Sequence, residues 1–252
     1  FGKDTFTVIA GNVGSTIRIG VEVIPRGQAS IQESQTIYIS DLSLTWTANT
    51  YVPKWYKGKA LPVANSNLRI AAIPRIIIDG LTIPTNKLIF TWNVNGKRML
   101  QGIGSHIFEY KAPERSFNIP LIRVVVEDMN KRIKKEARIA IANREPKAII
   151  YQVFPLGGVE PRRGTAAFSS VSTGLLDLQI EPFFFNAVSR EHLIYEWIAE
   201  GKTASTTVEN PFFLTLDIQE REPGNIPVSV FVNDNDMFVP SVSKTLTIPF
   251  TP

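Results

Sequence analysis

The stretch LIFTWNVNGK at residues 88–97 decides the fold, because LIYEWIAEGK at residues 193–202 repeats it 105 residues later. Both stretches alternate apolar and polar residues, carry a tryptophan near the middle and run into a glycine, as a strand that enters a hairpin does. A fixed period in a sequence shows the building unit of the fold directly. The sequence therefore predicts two homologous domains of about 105 residues each.

Two further pairs of segments keep nearly the same period. NIPLIRVVVED at 118–128 resembles NIPVSVFVND at 225–234. RIIID at 75–79 lies opposite PFFFN at 182–186, so that three phenylalanines replace three isoleucines at candidate core positions. The repeat thus extends over most of each predicted domain.

The period also extends towards the N-terminus. STIRIGVEVIP at 15–25 lies 105 residues before the LIRVVVED strand, and LSLTW at 42–46 lies 105 residues before KAIIY at 147–151. Residues 15–40 are therefore interpreted as the last hairpin of a preceding unit, and LSLTW as the first strand of a complete one. The predicted domains are an incomplete immunoglobulin-like unit at 1–40 and two complete domains at 41–144 and 145–252.

The composition favours an all-β protein. Short runs rich in Val, Ile, Thr and Phe, such as TFTVIA at 5–10 and NLRIAAI at 67–73, are separated by Gly, Pro, Asn and Asp. The 252 residues suffice for two domains with cores of their own, and the 17 prolines predict short strands. No apolar run is long enough to cross a bilayer, so no membrane span is expected. The chain begins with Phe1, which indicates either a removed leader or a fragment.

The formal charge is unevenly distributed. Residues 169–252 hold 4 Lys and Arg against 11 Asp and Glu, whereas residues 1–168 hold 23 against 12. The chain is therefore basic in its first two thirds and acidic in its last third. This polarity favours head-to-tail contact between copies over nucleic-acid binding, which is not expected.

The repeated strands resemble those of polycystic-kidney-disease (PKD) and immunoglobulin-like domains. The resemblance rests on an [FY]-x-W-x-x-x-G pattern followed by a late V-x-V-x-D strand, although the W-x-F-G-D-G signature of typical PKD domains is replaced by WNVNG and WIAEG. It implies tandem antiparallel β-sandwiches of seven strands in an extracellular protein of bacteria or archaea, used as a spacer, adhesive or assembly module. The pattern residues are Phe90, Trp92 and Gly96 in one repeat and Tyr195, Trp197 and Gly201 in the other.

The tryptophans are expected to lie in the cores. A large ring on a central strand can bridge two sheets that pack about 10 Å apart. The chain has no cysteine, so no disulfide can fill the space beside each ring. Ile76–Ile78 and Phe183–Phe185 are the candidates to fill it.

Two segments are candidate interaction sites. A hairpin without the rest of its sheet exposes apolar residues, which makes the alternating positions of the N-terminal segment candidates for a subunit interface. YVPKWYKGKALP at 51–62 sets aromatic rings among lysines, and three interpretations stay open for it: packing within the domain, a protein interface, or a glycan or nucleic-acid platform. The interface candidates are Ile17, Ile19, Val21, Val23, Ile37 and Ile39, and the platform candidates are Tyr51, Lys54, Trp55, Tyr56, Lys57 and Lys59.

No catalytic residue, cofactor or metal is predicted. NDND at 233–236 offers Asp234 and Asp236 as weak calcium ligands, but a plain hairpin turn is favoured because the D-x-[DN]-x-[DN]-G loop is lacking. His106 and His192 do not occupy equivalent positions of the repeats, and no nucleophile motif accompanies them.

The sequence predicts a non-enzymatic structural protein of the cell surface. Copies of the chain would assemble head to tail into a filament or array, with the N-terminal segment exchanging strands with a neighbour. The alternative is an adhesin or carbohydrate-binding module, or the stalk of a larger secreted protein, with surface glycans as its partners.

Overall fold

The computed structural model describes residues 5, 7–27, 29–114, 119–154, 156–159, 164, 174–207, 209–219, 222–234 and 241–250. Within them the chain forms β-strands and two short 3₁₀ turns, at Thr85–Lys87 and Arg190–His192, and no α-helix. The strands are β1 (Thr16–Val23), β2 (Ile31–Tyr38), β3 (Asp41–Ala48), β4 (Asn67–Arg75), β5 (Ile77–Ile78), β6 (Leu81–Thr82), β7 (Leu88–Val94), β8 (Lys97–Ile103), β9 (Ile107–Lys111), β10 (Leu121–Asp128), β11 (Lys134–Ala140), β12 (Lys147–Phe154), β13 (Gly158–Val159), β14 (Leu175–Phe183), β15 (Ile194–Ala199), β16 (Lys202–Ala204), β17 (Phe213–Asp217), β18 (Gly224–Asn233) and β19 (Val242–Phe250).

Apart from the added edge strand β13, the strand order is the same in two successive parts of the chain. The first part has a sheet β3-β4-β9 and a sheet β11-β10-β7-β8, and the second has β13-β12-β14-β17 and β16-β15-β18-β19. Every pairing with a recorded register is antiparallel, for example Trp92 opposite Val124 and Trp197 opposite Val230. The prediction of an all-β chain of tandem immunoglobulin-like sandwiches is confirmed.

Contacts group the chain into two compact units. The first comprises Phe1–Trp46, Arg69–Glu109 and Pro120–Ile141, and the second comprises Thr47–Leu68, Tyr110–Ile119 and Ala142–Pro252. The predicted domain boundaries at residues 41–144 and 145–252 stay a prediction.

The two repeated tryptophans occupy equivalent core positions. Trp92 is fully buried on β7 and stacks on Phe108 of β9 with the ring centroids 5.3 Å apart, which links the two sheets of the first repeat. Its indole Nε1 donates to the carbonyl of Ser105 at 2.8 Å, and Nε1 of Trp197 donates to the carbonyl of Pro211 at 3.0 Å. Each ring thus buries its apolar body while its one donor is satisfied, as expected for a buried tryptophan.

The three consecutive phenylalanines pack in two different places. All three are buried, but Phe185 lies in the main core of the second unit with Trp197, whereas Phe183 and Phe184 form a separate cluster with Val63. Of the three phenylalanine candidates for the space beside the tryptophan, Phe185 therefore packs in the core of Trp197, whereas Phe183 and Phe184 do not. The reason is that β14 ends at Phe183 and Phe184 has a positive φ of 64°, so the alternation of the strand does not continue to Phe185.

The predicted N-terminal hairpin forms, with Thr16 opposite Tyr38 and Val23 opposite Ile31. β1 and β10 each have eight residues, and they begin 105 residues apart. The strand predicted at 5–10 is absent from its described residues 5 and 7–10, where Ile9 is 93% exposed. In the described part of the chain no strand offers these residues a hydrogen-bonded neighbour.

A buried aspartate organises the turn between β10 and β11. Oδ1 of Asp128 accepts a hydrogen bond from the backbone N–H of Ile133 at 2.8 Å, and its Oδ2 accepts one from Nε of Arg132 at 3.1 Å. Burial alone would raise the pKa of the Asp128 carboxyl, but these hydrogen bonds outweigh it and hold the pKa below its ordinary value. The carboxylate is therefore a structural part of the hairpin.

Replacing Asp128 with alanine is expected to lower the free energy of unfolding by about 1–3 kcal/mol, because the buried N–H of Ile133 loses its acceptor. Since the pKa is lower in the folded state, the contribution of Asp128 is present above its ordinary pKa of 3.8 and is lost as the pH falls through the folded-state value. Urea unfolding at pH 7 and at pH 3 measures both effects. Asp41→Ala, at an exposed aspartate, is the matched control, and an equal loss in the two variants would contradict the structural role of Asp128.

Candidate functional site

One face of the N-terminal hairpin carries exposed apolar side chains. Residues that are opposite each other in the β1–β2 register project to the same side, so Val21, Val23, Ile31 and Ile37 share one face. They are 40–59% exposed. The residues 105 positions after Ile17, Ile19 and Val21 lie on β10 and are fully buried: Ile122, Val124 and Val126. A surface that is core in one repeat is thus open to solvent in the hairpin.

The root of the hairpin is anchored in the first unit. The backbone N–H of Gly14 donates to the carbonyl of Ile39 at 2.8 Å, and the hydroxyl of Tyr38 donates to Oδ1 of Asp79 at 3.3 Å. Gly14 has φ of 97°, and a Cβ there would lie 2.9 Å from Cδ1 of Ile77, so the close approach requires glycine. Ile17, Ile19 and Ile39 are half-buried near this root, whereas Val21 and Val23 towards the tip are exposed.

The opposite face of the hairpin is polar. Nε2 of Gln32 donates to Oε1 of Glu22 at 2.9 Å, directly across the strand pair. Arg18 donates to the hydroxyl of Ser34 on the same face. The face with Val23 is mixed, because Glu33 and Gln35 lie on it opposite Val21 and Ile19, and its apolar side chains are concentrated in the Val23–Ile31 and Ile17–Ile37 pairs.

The predicted aromatic platform is a folded segment of the second unit. Its local structure is set by a turn in which the N–H of Tyr56 donates to the carbonyl of Pro53 at 2.9 Å, and by the hydroxyl of Thr50, which donates to the carbonyl of Leu61. At Gly58 a Cβ would lie 2.3 Å from the ring of Tyr56. The glycine thus lets the chain pass over the ring.

The rings of this segment pack on the second repeat. The Tyr56 ring lies edge-on to Phe183 and Phe184, with centroids 5.6 and 5.9 Å apart. Trp55 lies edge-on to Tyr151 and Phe183, at 5.8 Å from each, and remains 36% exposed. In the sequence the segment directly follows the first strand of the first predicted domain. Its rings nevertheless cover β12 and β14 of the second repeat. The sequence could not show this, because a local pattern does not identify the sheet on which a loop will pack.

The three lysines of the segment, Lys54, Lys57 and Lys59, are exposed. Burial lowers the pKa of the Lys59 amine below its ordinary value. Of the six platform candidates, Tyr51, Lys54 and Trp55 line a common cleft, whereas Tyr56 turns into the packed cluster.

A cleft of about 430 Å³ lies in the second unit beside this segment. One wall is the segment itself, and the other includes the 3₁₀ turn with Arg190. Along β14 the main-core side chains alternate with Gln179 and Glu181, which line the cleft from the outer face of the sheet. The residues that determine its chemistry are Tyr51, Lys54, Trp55, Gln179, Glu181 and Arg190.

Glu181 is a buried carboxylate, 2% exposed. Its Oε1 accepts hydrogen bonds from Nε2 of Gln179 and from the guanidinium of Arg190. Its Oε2 is buried and has no hydrogen-bond partner among the described residues. Burial raises the pKa of the Glu181 carboxyl, while the charge of Arg190 and these two hydrogen bonds act against the rise.

Burial also shifts the pKa values of the tyrosine hydroxyls near Glu181. Burial, followed by the negative charge of Glu181, raises the pKa of the Tyr51 hydroxyl to about 12, and the same two causes raise the pKa of Tyr151. Arg190 is held from a second side, because its Cζ lies 3.8 Å from the centre of the Phe212 ring. Both tyrosine hydroxyls therefore stay protonated near neutral pH and can donate hydrogen bonds.

Sequence reasoning did not identify Glu181 and Arg190. A weak signal exists in LLDLQIEPF, where a glutamate interrupts the apolar end of a strand. The partner Arg190 is nine residues away, and nothing local shows that the two side chains meet.

The remaining candidates form no reaction centre in the described residues. Nδ1 of His106 lies 2.8 Å from the carbonyl of Gly104, and Nδ1 of His192 lies 2.7 Å from the hydroxyl of Ser189. No group of three or more His, Cys, Asp or Glu residues that could hold a metal is found in the described part of the chain. Asp234 follows β18 much as Asp128 ends β10, and Asp236 lies outside the described residues.

None of the described residues belongs to a helix long and apolar enough to span a membrane. No protein-family model matches the sequence, and no curated protein matches it.

Several solved structures are similar to the chain at low identity. The three N-terminal domains of the bacteriophage RB49 highly immunogenic outer capsid protein (Hoc) share 16% identity at a TM-score of 0.43, over 84% of this chain and 59% of that one. The chain thus spans less than two thirds of that structure. Fibronectin(III)-like modules of Clostridium thermocellum CbhA share 9% identity at a TM-score of 0.26, over 82% and 94%. Sidekick-1 immunoglobulin domains 1–4 share 10% at 0.26, over 92% and 69%.

The resemblance of the chain to tandem immunoglobulin-like domains is confirmed at the level of the fold. Every one of these TM-scores lies below 0.5, so the immunoglobulin-like fold follows from the sheet orders of the chain itself and not from these likenesses.

Proposed function

We propose that the chain is a non-enzymatic structural protein of the cell surface whose copies associate head to tail through the N-terminal hairpin. The observation that carries the proposal is the exposed apolar face of β1 and β2, whose counterpart on β10 is buried core. Apolar surface of this kind on a soluble protein marks an interaction site. Among the residues that the structure describes, β1 and β2 form a two-stranded sheet, so each strand has one edge without a paired strand.

The occupant of this face is a second copy of the chain. The charge distribution supports this choice, because residues 1–168 carry an excess of 11 positive charges and residues 169–252 an excess of 7 negative ones. Complementary charge steers association and fixes its orientation. Residues 1–40 hold three Lys and Arg against three Asp and Glu, so the positive excess lies in residues 41–168, and this part of one copy meets the acidic part of the next. A contact of this heterologous type does not close on itself, so it propagates into a fibre.

Strand addition is the physical mode of the contact. An open hairpin edge can pair with a strand of a neighbouring molecule, so that backbone hydrogen bonds supply affinity and the apolar face supplies specificity. Burying one valine or isoleucine side chain contributes roughly 1.5–3 kcal/mol. Val21, Val23, Ile31 and Ile37 are 40–59% exposed in the hairpin, so covering each of them contributes about half of this amount.

Sedimentation velocity tests this function. The unmodified chain is expected to exceed the monomer mass of 28.1 kDa increasingly as its concentration rises, and to return towards it at high salt. Val23→Lys is expected to weaken association at least tenfold, because a charged amine replaces a side chain that the contact buries.

Gln32→Lys is the matched control. It adds the same charge in the neighbouring cross-strand pair, but on the polar face and opposite Glu22. It should leave association unchanged. A monomeric unmodified chain, or equal weakening by the two variants, would show that this face does not bind a second copy.

A further inference from the structure

We propose that the cleft of the second unit binds an uncharged saccharide chain, through stacking on Trp55 and hydrogen bonds to Glu181 and Gln179. The site is separate from the hairpin and goes beyond the proposed assembly. An aromatic ring, a buried hydrogen-bond acceptor and several hydrogen-bonding side chains line the same cleft. Its volume of about 430 Å³ lies within the range found for ligand-binding sites.

The buried acceptor points to a ligand that donates hydrogen bonds. Oε2 of Glu181 lies out of contact with solvent and without a partner among the described residues. Leaving such an oxygen unsatisfied costs roughly 1–3 kcal/mol, more when it is charged. Because Glu181 lines the cleft, a rotation of its carboxylate would bring this oxygen to a hydroxyl group of a ligand at the floor, beside the side-chain amide of Gln179.

Trp55 supplies the apolar part of the recognition. Its ring contacts Tyr151 and Phe183 edge-on, and it keeps 36% of its surface exposed beside the cleft. A tryptophan fixed by two neighbouring rings loses little entropy when a ligand binds. The C–H face of a sugar ring is apolar and stacks on an indole, whereas its rim of hydroxyl groups suits the polar side chains opposite.

The balance of charge indicates that the ligand is neutral. The charged residues that line the cleft are Lys54, Arg190, Glu181 and Glu191, two of each sign. Arg190 is already engaged, since it pairs with Glu181 and lies 3.5 Å from Oε1 of Glu191. No charge of either sign is left in excess among the described lining residues to attract an ionic ligand.

The first repeat lacks the two polar side chains that β14 contributes to the cleft. The buried positions Leu68, Ile70 and Ala72 of β4 match Leu176, Leu178 and Ile180 of β14, so the residues that correspond to Gln179 and Glu181 are Ala71 and Ile73, which have no polar side chains. The glutamate and the glutamine are therefore not requirements of the sandwich fold, which forms in the other repeat without them.

Isothermal titration of a panel of hexasaccharides tests the site, with hexamers of glucose, mannose, xylose and N-acetylglucosamine as uncharged probes and hexagalacturonate as the anionic one. The titration is made in the Val23→Lys background, so that self-association does not contribute to the heat. At least one uncharged hexamer is expected to bind with Kd below about 1 mM. Hexagalacturonate is expected not to bind.

Two variants assign the binding to the cleft. Trp55→Ala and Glu181→Gln are each expected to weaken binding at least tenfold, equivalent to about 1.4 kcal/mol. Phe154→Ala, at a comparably exposed ring outside the cleft lining, and Glu136→Gln, at a carboxylate that is also paired with arginines, should bind like the parent. Circular dichroism confirms folding of each variant. Absence of binding to every uncharged probe, preference for hexagalacturonate, or unchanged binding in Trp55→Ala and Glu181→Gln would overturn the proposal.

Discussion

Replacing Arg190 with alanine is expected to lower the free energy of unfolding of the second unit by about 3–5 kcal/mol at pH 7, because it leaves the buried Glu181 carboxylate without its counter-charge. Glu181 is 3% exposed at its side chain and Arg190 24%, so solvent screens the pair only weakly. The loss also includes the contact between the guanidinium and Phe212. Urea unfolding followed by far-UV circular dichroism measures it.

The pH dependence of this loss has a definite sign. The pKa of Glu181 is already raised by burial, and removal of Arg190 raises it further. A carboxyl whose pKa is higher in the folded state favours folding below its ordinary pKa of 4.5, and this advantage is lost as the pH rises through the folded-state value. The deficit of Arg190→Ala should therefore shrink as the pH is lowered from 7 towards 4.5.

Two controls isolate the buried pair. Adding Glu181→Gln to Arg190→Ala is expected to recover most of the lost stability, since the amide needs no counter-charge. Arg138→Ala removes an arginine that is 60% exposed and pairs with Glu136, and it should cause little change. A double variant no more stable than Arg190→Ala, or an equal loss in Arg138→Ala, would show that uncompensated charge is not the cause.

Replacing Trp197 with alanine is expected to lower the free energy of unfolding by about 3–5 kcal/mol, the range for large aromatic side chains removed from a packed core. The ring is 1% exposed and lies in a cluster with residues from both sheets of the second repeat. The measurement is the calorimetric unfolding transition of the second unit. The equivalent change at Trp92 should affect the first unit in the same way.

Trp55→Ala serves as the matched control, because this tryptophan is 36% exposed and makes two edge-on ring contacts. It should lower the unfolding free energy by less than half as much as Trp197→Ala. If the two variants lose the same stability, Trp197 does not play the central packing role that its position indicates.

The sequence predicted the sandwich fold because the signal for it is local and repeated. The alternation around Trp92 and Trp197 reports which strand faces are buried, and the period of 105 residues shows where the unit recurs. The same period predicted the N-terminal hairpin, with β1 beginning 105 residues before β10. Strand formation and the choice of the buried face are properties of segments of eight to ten residues. The alternation of apolar and polar residues within such a segment indicates both directly.

The cleft could not be predicted, because it depends on which segments meet after folding. The aromatic segment was recognisable by composition, but Trp55 and Tyr56 pack on rings about 130 residues further along the chain. Glu181 and Arg190 become a site only when β14 and the 3₁₀ turn are placed together. The strand expected at residues 5–10 failed for a related reason, since an alternating pattern forms a strand only where a neighbour pairs with it.

The most direct test of assembly through the hairpin is electron microscopy of the purified chain at low salt. The unmodified protein and Gln32→Lys are expected to form linear polymers, and Val23→Lys at the same concentration is expected to give dispersed particles. Dispersed particles from the unmodified chain, or polymers from Val23→Lys, would contradict the account.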